Sequence, residues 1–205
     1  AGKPFRLNAW EEIVVKLLCG WKIPVDTIDE NTGQPVTIQV RLFRKLLLWI
    51  PRKNGKSEFL AGLAILFYAL EGVYGGQGFC FALNEAQGRI VLDKMIAMIQ
   101  LSPPLQKRVV CFKKSLWIPQ VRAGFQLLSG KAEGKHGRSP TVIAGDEMHE
   151  WTDGTLELSN NLRQGTGARL QPMQLYASTA GLKTARTGFG LWEQTLAVMD
   201  GRIQE

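Results

Sequence analysis

The sequence is poor in the residues that metal-centred or disulfide-linked proteins require. It has two histidines and three cysteines, and Cys19, Cys80 and Cys111 lie far apart in apolar contexts. An odd cysteine count without metal-type spacing predicts reduced, buried thiols in a cytosolic protein. Neither His136 nor His149 has a cysteine or carboxylate at matching spacing, so a structural role is favoured over a zinc site.

Long apolar segments are also missing. The longest apolar stretch, around 59–70, contains Gly62 and Tyr68 and is too short to span a bilayer. The first residues lack a charged end followed by an apolar run, so we expect no signal peptide before the fold and no membrane partner. The 205 residues contain no visible repeat or low-complexity segment, and the length suits one α/β domain.

Acidic residues are outnumbered by basic ones. The chain has 18 aspartates and glutamates against 25 lysines and arginines, which gives a net charge of +7. Such an excess is compatible with a polyanionic partner, either a nucleotide, a nucleic acid or both. Charge alone does not decide this, because many soluble domains carry a similar charge and bind no nucleic acid.

Helical and strand-like patterns alternate along the chain. Apolar spacing and capping signals predict helices over residues 10–18, 56–71, 85–100, 156–162 and 191–199. Asn84, with Gln87 three residues on, is the predicted cap of the helix 85–100. Short apolar or alternating runs predict strands over residues 36–42, 45–50, 78–83, 141–144 and 173–177. The strand 45–50 is expected to be buried on both faces, residues 25–34 to form a loop or hairpin tip, and residues 109–128 to form an antiparallel insertion. This alternation implies an α/β fold with a mainly parallel sheet and helices on both faces.

One loop has the composition and context of a phosphate-binding site. It connects an apolar strand to a helix and consists of Pro51, Arg52, Lys53, Asn54, Gly55, Lys56 and Ser57. Unpaired N–H groups and the helix dipole favour an anion at such a helix start. Gly55 permits close approach of the backbone, Lys56 can reach the β- and γ-phosphates of ATP, and the Ser57 hydroxyl can bind Mg²⁺. Ile50 stands where the usual pattern begins with glycine, so a plain basic turn before a helix stays open as the alternative.

Two adjacent acids, Asp146 and Glu147, follow the apolar strand 141–144. Carboxylates at the carboxyl end of a parallel strand lie where open α/β sheets bind ligands. Asp146 can hold the Mg²⁺ of a nucleotide, and Glu147 can orient and deprotonate the attacking water. A solvated acidic turn is the alternative for these two residues taken alone.

Several segments together resemble one family, the large subunit of tailed-bacteriophage DNA-packaging terminases. The basic loop without its initial glycine is similar to that family's deviant Walker A motif. Residues 136–140, the strand that follows and residues 146–151 look like its Walker B region. Residues 168–172 and 176–181 are similar to its approach to the coupling motif. The resemblance covers nearly the whole chain.

The resemblance implies a P-loop NTPase of the ASCE, RecA-like type, a three-layer sandwich with a mainly parallel central sheet. It implies ATP hydrolysis with Mg²⁺ that drives double-stranded viral DNA into a procapsid. The implied domains are an ATPase motor over 1–184 and an edge helix or lead-out over 185–205, towards a missing carboxy-terminal nuclease domain. The implied partners are DNA, the portal protein, the terminase small subunit and further copies in a ring. The implied location is the host cell cytoplasm.

The resemblance also assigns roles to single residues. Arg52 is a candidate for contacting the γ-phosphate, and Arg138 for an arginine finger that reaches a neighbouring subunit's nucleotide. A surface ion pair is the alternative for Arg138. Ser178, Thr179 and Ala180 would form the coupling motif, with a plain strand end of small residues as the alternative.

Two further assignments concern the base of the nucleotide and the DNA. Trp10 looks like the family's adenine-side tryptophan, and Glu11 follows it where the family usually has glutamine. A basic group in the predicted insertion suits sequence-independent DNA phosphate contacts, with a solvated loop face as the alternative. Its members are Lys107, Arg108, Lys113 and Lys114.

Two rival functions stay open at this point. A superfamily 2 helicase shares the same core but separates strands and has a second motor domain. A nucleotide-regulated assembly module would bind ATP without turnover.

Overall fold

The computed structural model describes residues 5–29, 32–129 and 137–203, and the chain divides into two compact units, Ala1–Lys45 and Leu46–Glu205. Within the described residues, no helix is both long and apolar enough to cross a membrane. His136 lies outside the described residues.

The first unit consists of one helix and a β-hairpin. Helix α1 (Ala9–Gly20) precedes strands β1 (Lys22–Ile28) and β2 (Pro35–Arg41), which pair antiparallel. The prediction of a loop over 25–34 is therefore wrong for its first part, because β1 continues to Ile28. Asp26 and Thr37 pair across the two strands, and the Thr37 hydroxyl donates a 2.6 Å hydrogen bond to the Asp26 carboxylate. Asp26, which lies in the segment predicted as a loop or hairpin tip, thus occupies an exposed cross-strand position.

The second unit is an α/β sandwich around a seven-stranded sheet. Its strands are β3 (Lys45–Trp49), β4 (Gln77–Phe81), β5 (Val110–Cys111), β6 (Ser115–Ile118), β7 (Ala123–Leu127), β8 (Val142–Gly145) and β9 (Met173–Ser178). Its helices are α2 (Lys56–Ile65), α3 (Glu85–Gln100), α4 (Pro103–Gln106), α5 (Asp153–Gly165) and α6 (Arg186–Met199). The strand order is β3-β9-β8-β4-β7-β6-β5. The predicted α/β class is confirmed.

The strand order determines what meets at the carboxyl edge of the sheet. Strand β9 lies between β3, which leads into the phosphate loop, and β8, which ends before the two acids. Strands β4, β8 and β9 run parallel, so their carboxyl ends share one edge. The Ile50 N–H donates a 3.1 Å hydrogen bond to the Ser178 carbonyl, which ties the end of β3 to the end of β9.

The predicted antiparallel insertion is only partly correct. Strands β5 and β6 pair antiparallel, as do β6 and β7, but β7 itself pairs parallel with β4 and extends the central sheet. Strand β3 also differs from its prediction, since only Leu48 among its residues is buried. Its place at the edge of the sheet explains this, because an edge strand has a neighbour on one side only.

The helix after the phosphate loop runs as predicted towards Gly72 but changes its winding. Helix α2 continues into a π-helical segment, Leu66–Leu70, where the Glu71 N–H bonds the Leu66 carbonyl at 3.3 Å. The predicted cap of α3 is confirmed, with the Gln87 N–H donating to the Asn84 side chain at 3.0 Å. Of the three thiols predicted to be buried, only Cys80 is, while Cys19 and Cys111 are partly exposed.

The core of the second unit is aromatic on the face that carries α5. Phe81, Trp151 and Tyr176 pack in sequence, with ring centroids 5.2 Å and 5.8 Å apart. Burial raises the pKa of Tyr176 to about 12, so the phenol stays neutral. This packing holds the strand ends that carry the candidate site.

Gly78→Ala should destabilise the sheet, because a Cβ there would lie 2.1 Å from a ring atom of the fully buried Phe125. Overpacking of this kind costs about 1–3 kcal/mol of unfolding free energy. Gly124→Ala is the matched control, since its Cβ would meet Trp117 at an ordinary 3.6 Å. Urea denaturation of both variants checks this, and equal stabilities would contradict the packing argument.

Candidate nucleotide site

The phosphate loop is shaped by two left-handed backbone positions. Lys53 has φ of 65° and Gly55 has φ of 72°. Gly55 is the N-cap of α2 and has no side chain to cap it, so the first N–H groups of the helix keep their donor capacity. The Asn54 side chain instead stabilises the loop, donating 3.2 Å hydrogen bonds to the carbonyls of Pro51 and Arg52. The side chains of Arg52 and Lys53 are exposed.

Lys56 joins this loop to the end of β8. Its ammonium lies 2.5 Å from Asp146 Oδ1 and 2.9 Å from Glu147 Oε1. The neighbouring Ser57 hydroxyl donates to Asp146 Oδ2 at 3.0 Å. Lys56 and Asp146 are 7% and 3% exposed, so this is a buried charge pair in which each group depends on the other.

Glu147 adopts an uncommon backbone conformation, with φ of 52°. A non-glycine residue there costs about 1–2 kcal/mol unless its surroundings compensate. Here Asp146 Oδ1 accepts the Glu147 N–H at 2.9 Å, and the Asp146 carbonyl accepts the Trp151 indole N–H at 2.8 Å. Strained residues held in this way are frequent at active sites, where they orient a reacting group.

The residues present fit ATP with Mg²⁺. Lys56, Asp146 and Glu147 sum to one negative charge, which a cation would balance. Within the described residues, no group of three or more histidine, cysteine, aspartate and glutamate side chains can hold a metal alone. The Ser57 and Asp146 oxygens are instead the sparse hard ligands that Mg²⁺ accepts when it is bound together with substrate phosphates.

Two buried oxygens support this fit. Glu147 Oε2 and Thr179 Oγ1 have no hydrogen-bond partner among the described residues. A buried polar atom without a partner costs free energy, and such atoms concentrate where a ligand or water is bound. Both lie on residues that follow the carboxyl ends of β8 and β9.

The residues predicted to form the coupling motif lie beside the turn that follows the acids. The Ser178 hydroxyl accepts the His149 N–H at 3.0 Å, and its side chain is fully buried at the end of β9. Ser178 also accepts the Ile50 N–H through its carbonyl. Thr179 is buried and Ala180 is exposed. Ser178 therefore contacts both the phosphate-loop strand and the turn that follows Glu147.

The comparison with known families decides the identity of this arrangement. The family described as "Terminase large subunit, ATPase domain" matches residues 33–189, a span that holds the phosphate loop, both acids and the coupling residues. The chain belongs to this family. The comparisons support neither a helicase nor a non-catalytic assembly module.

Individual relatives agree with this assignment. The large terminase subunit of Enterobacteria phage HK97 is 28% identical over 143 residues, which is 68% of this chain and 28% of that protein. The chain thus spans less than a third of the relative's length.

Solved structures show the same terminase ATPase fold. The HK97 bacteriophage large terminase matches 98% of this chain and 38% of its own, with a TM-score of 0.71 and 23% identity. The ATPase domain of the Thermus phage P74-26 large terminase matches 71% of this chain and 64% of its own, with a TM-score of 0.52 and 16% identity. These matches confirm that the chain has the fold of terminase ATPase domains.

Arg138 is not brought to the acids of this terminase domain. It precedes β8, at the edge of the sheet opposite Asp146, and its guanidinium lies 5.0 Å from the centre of the Phe79 ring. Burial lowers the pKa of Arg138, and its Nη1 is buried without a hydrogen-bond partner among the residues that the structure describes. No surface ion pair to Arg138 occurs within residues 5–29, 32–129 and 137–203. Its action on a neighbouring subunit stays a prediction.

The predicted basic DNA group is divided in two by the structure. Lys107 and Arg108 precede β5, whereas Lys113 and Lys114 occupy the turn after it. The Lys114 ammonium forms a 2.6 Å ion pair with Glu85, at the start of α3. All four side chains are exposed, but β5 separates them into pairs at its two ends.

The adenine-side residues lie on α1 in the first unit. Glu11 accepts the Asn8 N–H at 2.6 Å and completes the capping box of that helix. The side chain therefore has a structural use in addition to the predicted one. The roles of Trp10 and Glu11 in base recognition stay predictions.

The sequence did not reveal an apolar pocket beside the loop. It has a volume of about 420 Å³ and is lined by Trp49, Ile50, Pro51, Ala180, Gly181, Lys183, Gly188, Phe189 and Trp192. Trp49 and Trp192 form an edge-to-face pair with centroids 5.1 Å apart. The pocket forms because α6 packs beside the ends of β3 and β9. No local sequence pattern predicts this packing.

Removing the Lys56 charge should destabilise the protein, because two carboxylates would remain side by side without a counter-charge. We expect Lys56→Ala to lower the unfolding free energy by about 3 kcal/mol. The double variant Lys56→Ala/Asp146→Asn should recover part of this loss, since it also removes one negative charge. Urea denaturation without nucleotide is the measurement, and a Lys56→Ala protein as stable as the wild type would contradict it.

Proposed function

We propose that this domain hydrolyses ATP with Mg²⁺ and that the hydrolysis drives packaging of double-stranded viral DNA. The observation that carries the proposal is the contact of Lys56 with both Asp146 and Glu147. The ammonium of the phosphate loop is then within hydrogen-bond distance of both acids that follow β8. The family assignment supports the same reaction.

The residues have distinct tasks in this reaction. The N–H groups at the start of α2 and the Lys56 ammonium bind the phosphate oxygens. Ser57 and Asp146 hold Mg²⁺, which supplies neutralisation of the charge on those oxygens. Glu147 orients a water molecule and accepts its proton at the carboxylate, where Oε2 has no hydrogen-bond partner in the part of the chain that the structure describes.

Arg52 and Arg138 complete the proposed catalytic set. Arg52 is exposed on the phosphate loop, where its side chain would extend towards phosphates bound at the start of α2. Arg138 would act on the nucleotide of a neighbouring copy, as an arginine finger does. Ser178, Thr179 and Ala180 would transmit the state of the γ-phosphate to domain movement, a role favoured by the contacts of Ser178 with Ile50 and His149.

The wider assembly is proposed from the family. The domain would work in a ring of copies on the portal protein, with the terminase small subunit, in the host cell cytoplasm. Residues 1–184 would be the motor, and residues 185–205, which include α6, would lead towards a nuclease domain. The HK97 relative is long enough for such a further domain, since this chain spans 28% of it.

Two substitutions separate binding from chemistry. Lys56→Ala should abolish nucleotide binding and turnover, because it removes the ammonium that binds the phosphates. Glu147→Gln should bind ATP as the wild type does but hydrolyse it about 10² to 10⁴ times more slowly. Steady-state phosphate release and titration with a fluorescent ATP analogue, each with and without Mg²⁺, measure the two effects. Near-normal hydrolysis by Glu147→Gln would remove Glu147 from the role of base.

Neutralising the two basic pairs separately tests DNA binding. If Lys113 and Lys114 contact DNA phosphates, changing both to glutamine should weaken duplex binding and reduce the slope of log K against log salt by about 0.9 for each DNA phosphate that the protein no longer neutralises. The Lys107→Gln/Arg108→Gln variant gives the same measurement for the other end of β5. A matched control changes the exposed Lys16 and Arg202 to glutamine. Equal salt slopes in all four proteins would exclude both pairs.

A further inference from the structure

His149 has a larger role in the contacts of the site than its position in the sequence indicates. It lies in the 3-10 turn Met148–Glu150, directly after the strained Glu147, and is 8% exposed. Its Nδ1 is 3.2 Å from Ser178 Oγ and 3.2 Å from Glu147 Oε2. The imidazole thus lies between the proposed base and the first residue of the proposed coupling motif.

The hydrogen bonds of Ser178 assign the hydrogen on this ring. The Ser178 hydroxyl donates to the Thr179 carbonyl at 3.0 Å and also accepts a hydrogen bond from the backbone N–H of His149. With its hydrogen directed at the Thr179 carbonyl, Ser178 Oγ accepts from the ring, and the Glu147 carboxylate oxygen 3.2 Å from Nδ1 favours a hydrogen on the same nitrogen. The ring Nδ1–H donates its hydrogen bond to Ser178 Oγ. The same N–H also lies close to Glu147 Oε2, which accepts no hydrogen bond from the described residues.

The other ring nitrogen is not held in the same way. Within the described ranges His149 Nε2 is buried without a hydrogen bond, and the carboxylate oxygen Glu150 Oε1 is 3.6 Å away. That distance is too long for a hydrogen bond. Glu150 instead accepts a hydrogen bond from the Gln87 side chain of α3. The Nδ1 side of the ring therefore carries the specific contacts.

Two glycines pack closely against His149. A Cβ on Gly181 would lie 2.6 Å from the His149 Cβ, and a Cβ on Gly188 would lie 2.5 Å from the His149 carbonyl oxygen. Only glycine permits the loop after β9 and the first turns of α6 to approach so closely. The position of the imidazole is thus set by β9 and α6 together.

We propose that His149 is a positioning residue for Glu147, and that it links the orientation of this base to Ser178 and α6. The inference rests on the proposed ATPase function. Glu147 Oε1 is held by Lys56, and the Nδ1–H of His149 faces the second oxygen. The ammonium then fixes one carboxylate oxygen, and the N–H 3.2 Å from the other oxygen attracts it electrostatically, so a shift of β9 or α6 would reach the carboxylate through the imidazole. His149 acts through Glu147 and need not contact the nucleotide.

Two substitutions at His149 test this role. His149→Phe keeps the ring but removes Nδ1, whereas His149→Asn keeps a polar nitrogen close to the Nδ1 position. His149→Phe should lower kcat by roughly 10- to 100-fold, the usual cost of a misplaced catalytic group, without changing the Kd for ATP. His149→Asn should recover most of kcat. Glu150→Gln is the matched control on the Nε2 side and should change kcat by less than about 2-fold, because its carboxylate lies beyond hydrogen-bond distance of Nε2.

A double-variant comparison shows whether the effect passes through Glu147. In the Glu147→Gln background, His149→Phe should cause no further loss of single-turnover phosphate release, because the group that it positions is already removed. Unchanged kcat in His149→Phe would overturn the inference. So would equal losses in the Phe and Asn variants accompanied by weaker ATP binding and a lower Tm, since a purely structural role predicts those.

A measurement without turnover keeps the inference separate from the proposed function. With the histidines labelled by ¹⁵N, the Nδ1 of His149 should show the chemical shift of a protonated nitrogen, and Ser178→Ala should alter it. His149→Asn identifies the signal, because the chain has only two histidines. A hydrogen on Nε2 with a bare Nδ1 would overturn the inference even in an active protein. Failure of the wild type to bind or hydrolyse ATP would instead count against the proposed function.

Discussion

The buried contact between Lys56 and Asp146 is the interaction on which the site depends. The two residues are 90 positions apart in the chain, yet the ammonium and carboxylate lie 2.5 Å apart and are almost fully buried. Neither charge tolerates burial alone, so the loop before α2 and the end of β8 must come together in the folded protein. The Asp146 carboxylate also accepts hydrogen bonds from the Ser57 hydroxyl and the Glu147 N–H. Asp146 therefore connects the phosphate loop, the proposed Mg²⁺ ligand Ser57 and the proposed base Glu147.

The sheet supplies the rigidity that this contact needs. Gly145 at the end of β8 permits Trp151 and Tyr176 to pack where a Cβ would lie 2.7 Å and 2.8 Å from their rings. Trp151 then bonds the Asp146 carbonyl, so the aromatic core and the acidic pair stabilise one another. The strained backbone of Glu147 is held from both sides by these contacts. Gly145 in the strand thus helps to orient the side chain of Glu147, the proposed base, two residues further along the chain.

How far sequence reasoning reaches depends on the range of the pattern. The loop 51–57, the cap at Asn84 and the acids after β8 are local signals, and each is where the sequence predicts it. The loop or hairpin tip predicted over 25–34 is wrong for residues 25–28, which belong to β1, where Asp26 pairs with Thr37 of β2. The basic group around β5 is divided because a strand of two residues separates its pairs. The sequence favours a purely structural role for His149, since the Ser178 hydroxyl that engages it lies 29 residues away.

Local sequence is sufficient to specify the chemistry that is available, namely a glycine-bearing basic loop before a helix and two acids after an apolar strand. These features depend on backbone propensity and on neighbours within a few residues, which a local pattern records. Three features are decided only by the tertiary structure. Strand β9 lies between β3 and β8, Arg138 lies at the edge of the sheet opposite Asp146, and α6 packs closely against His149. They depend on strand order and on packing between residues far apart in the chain, and no local periodicity encodes either.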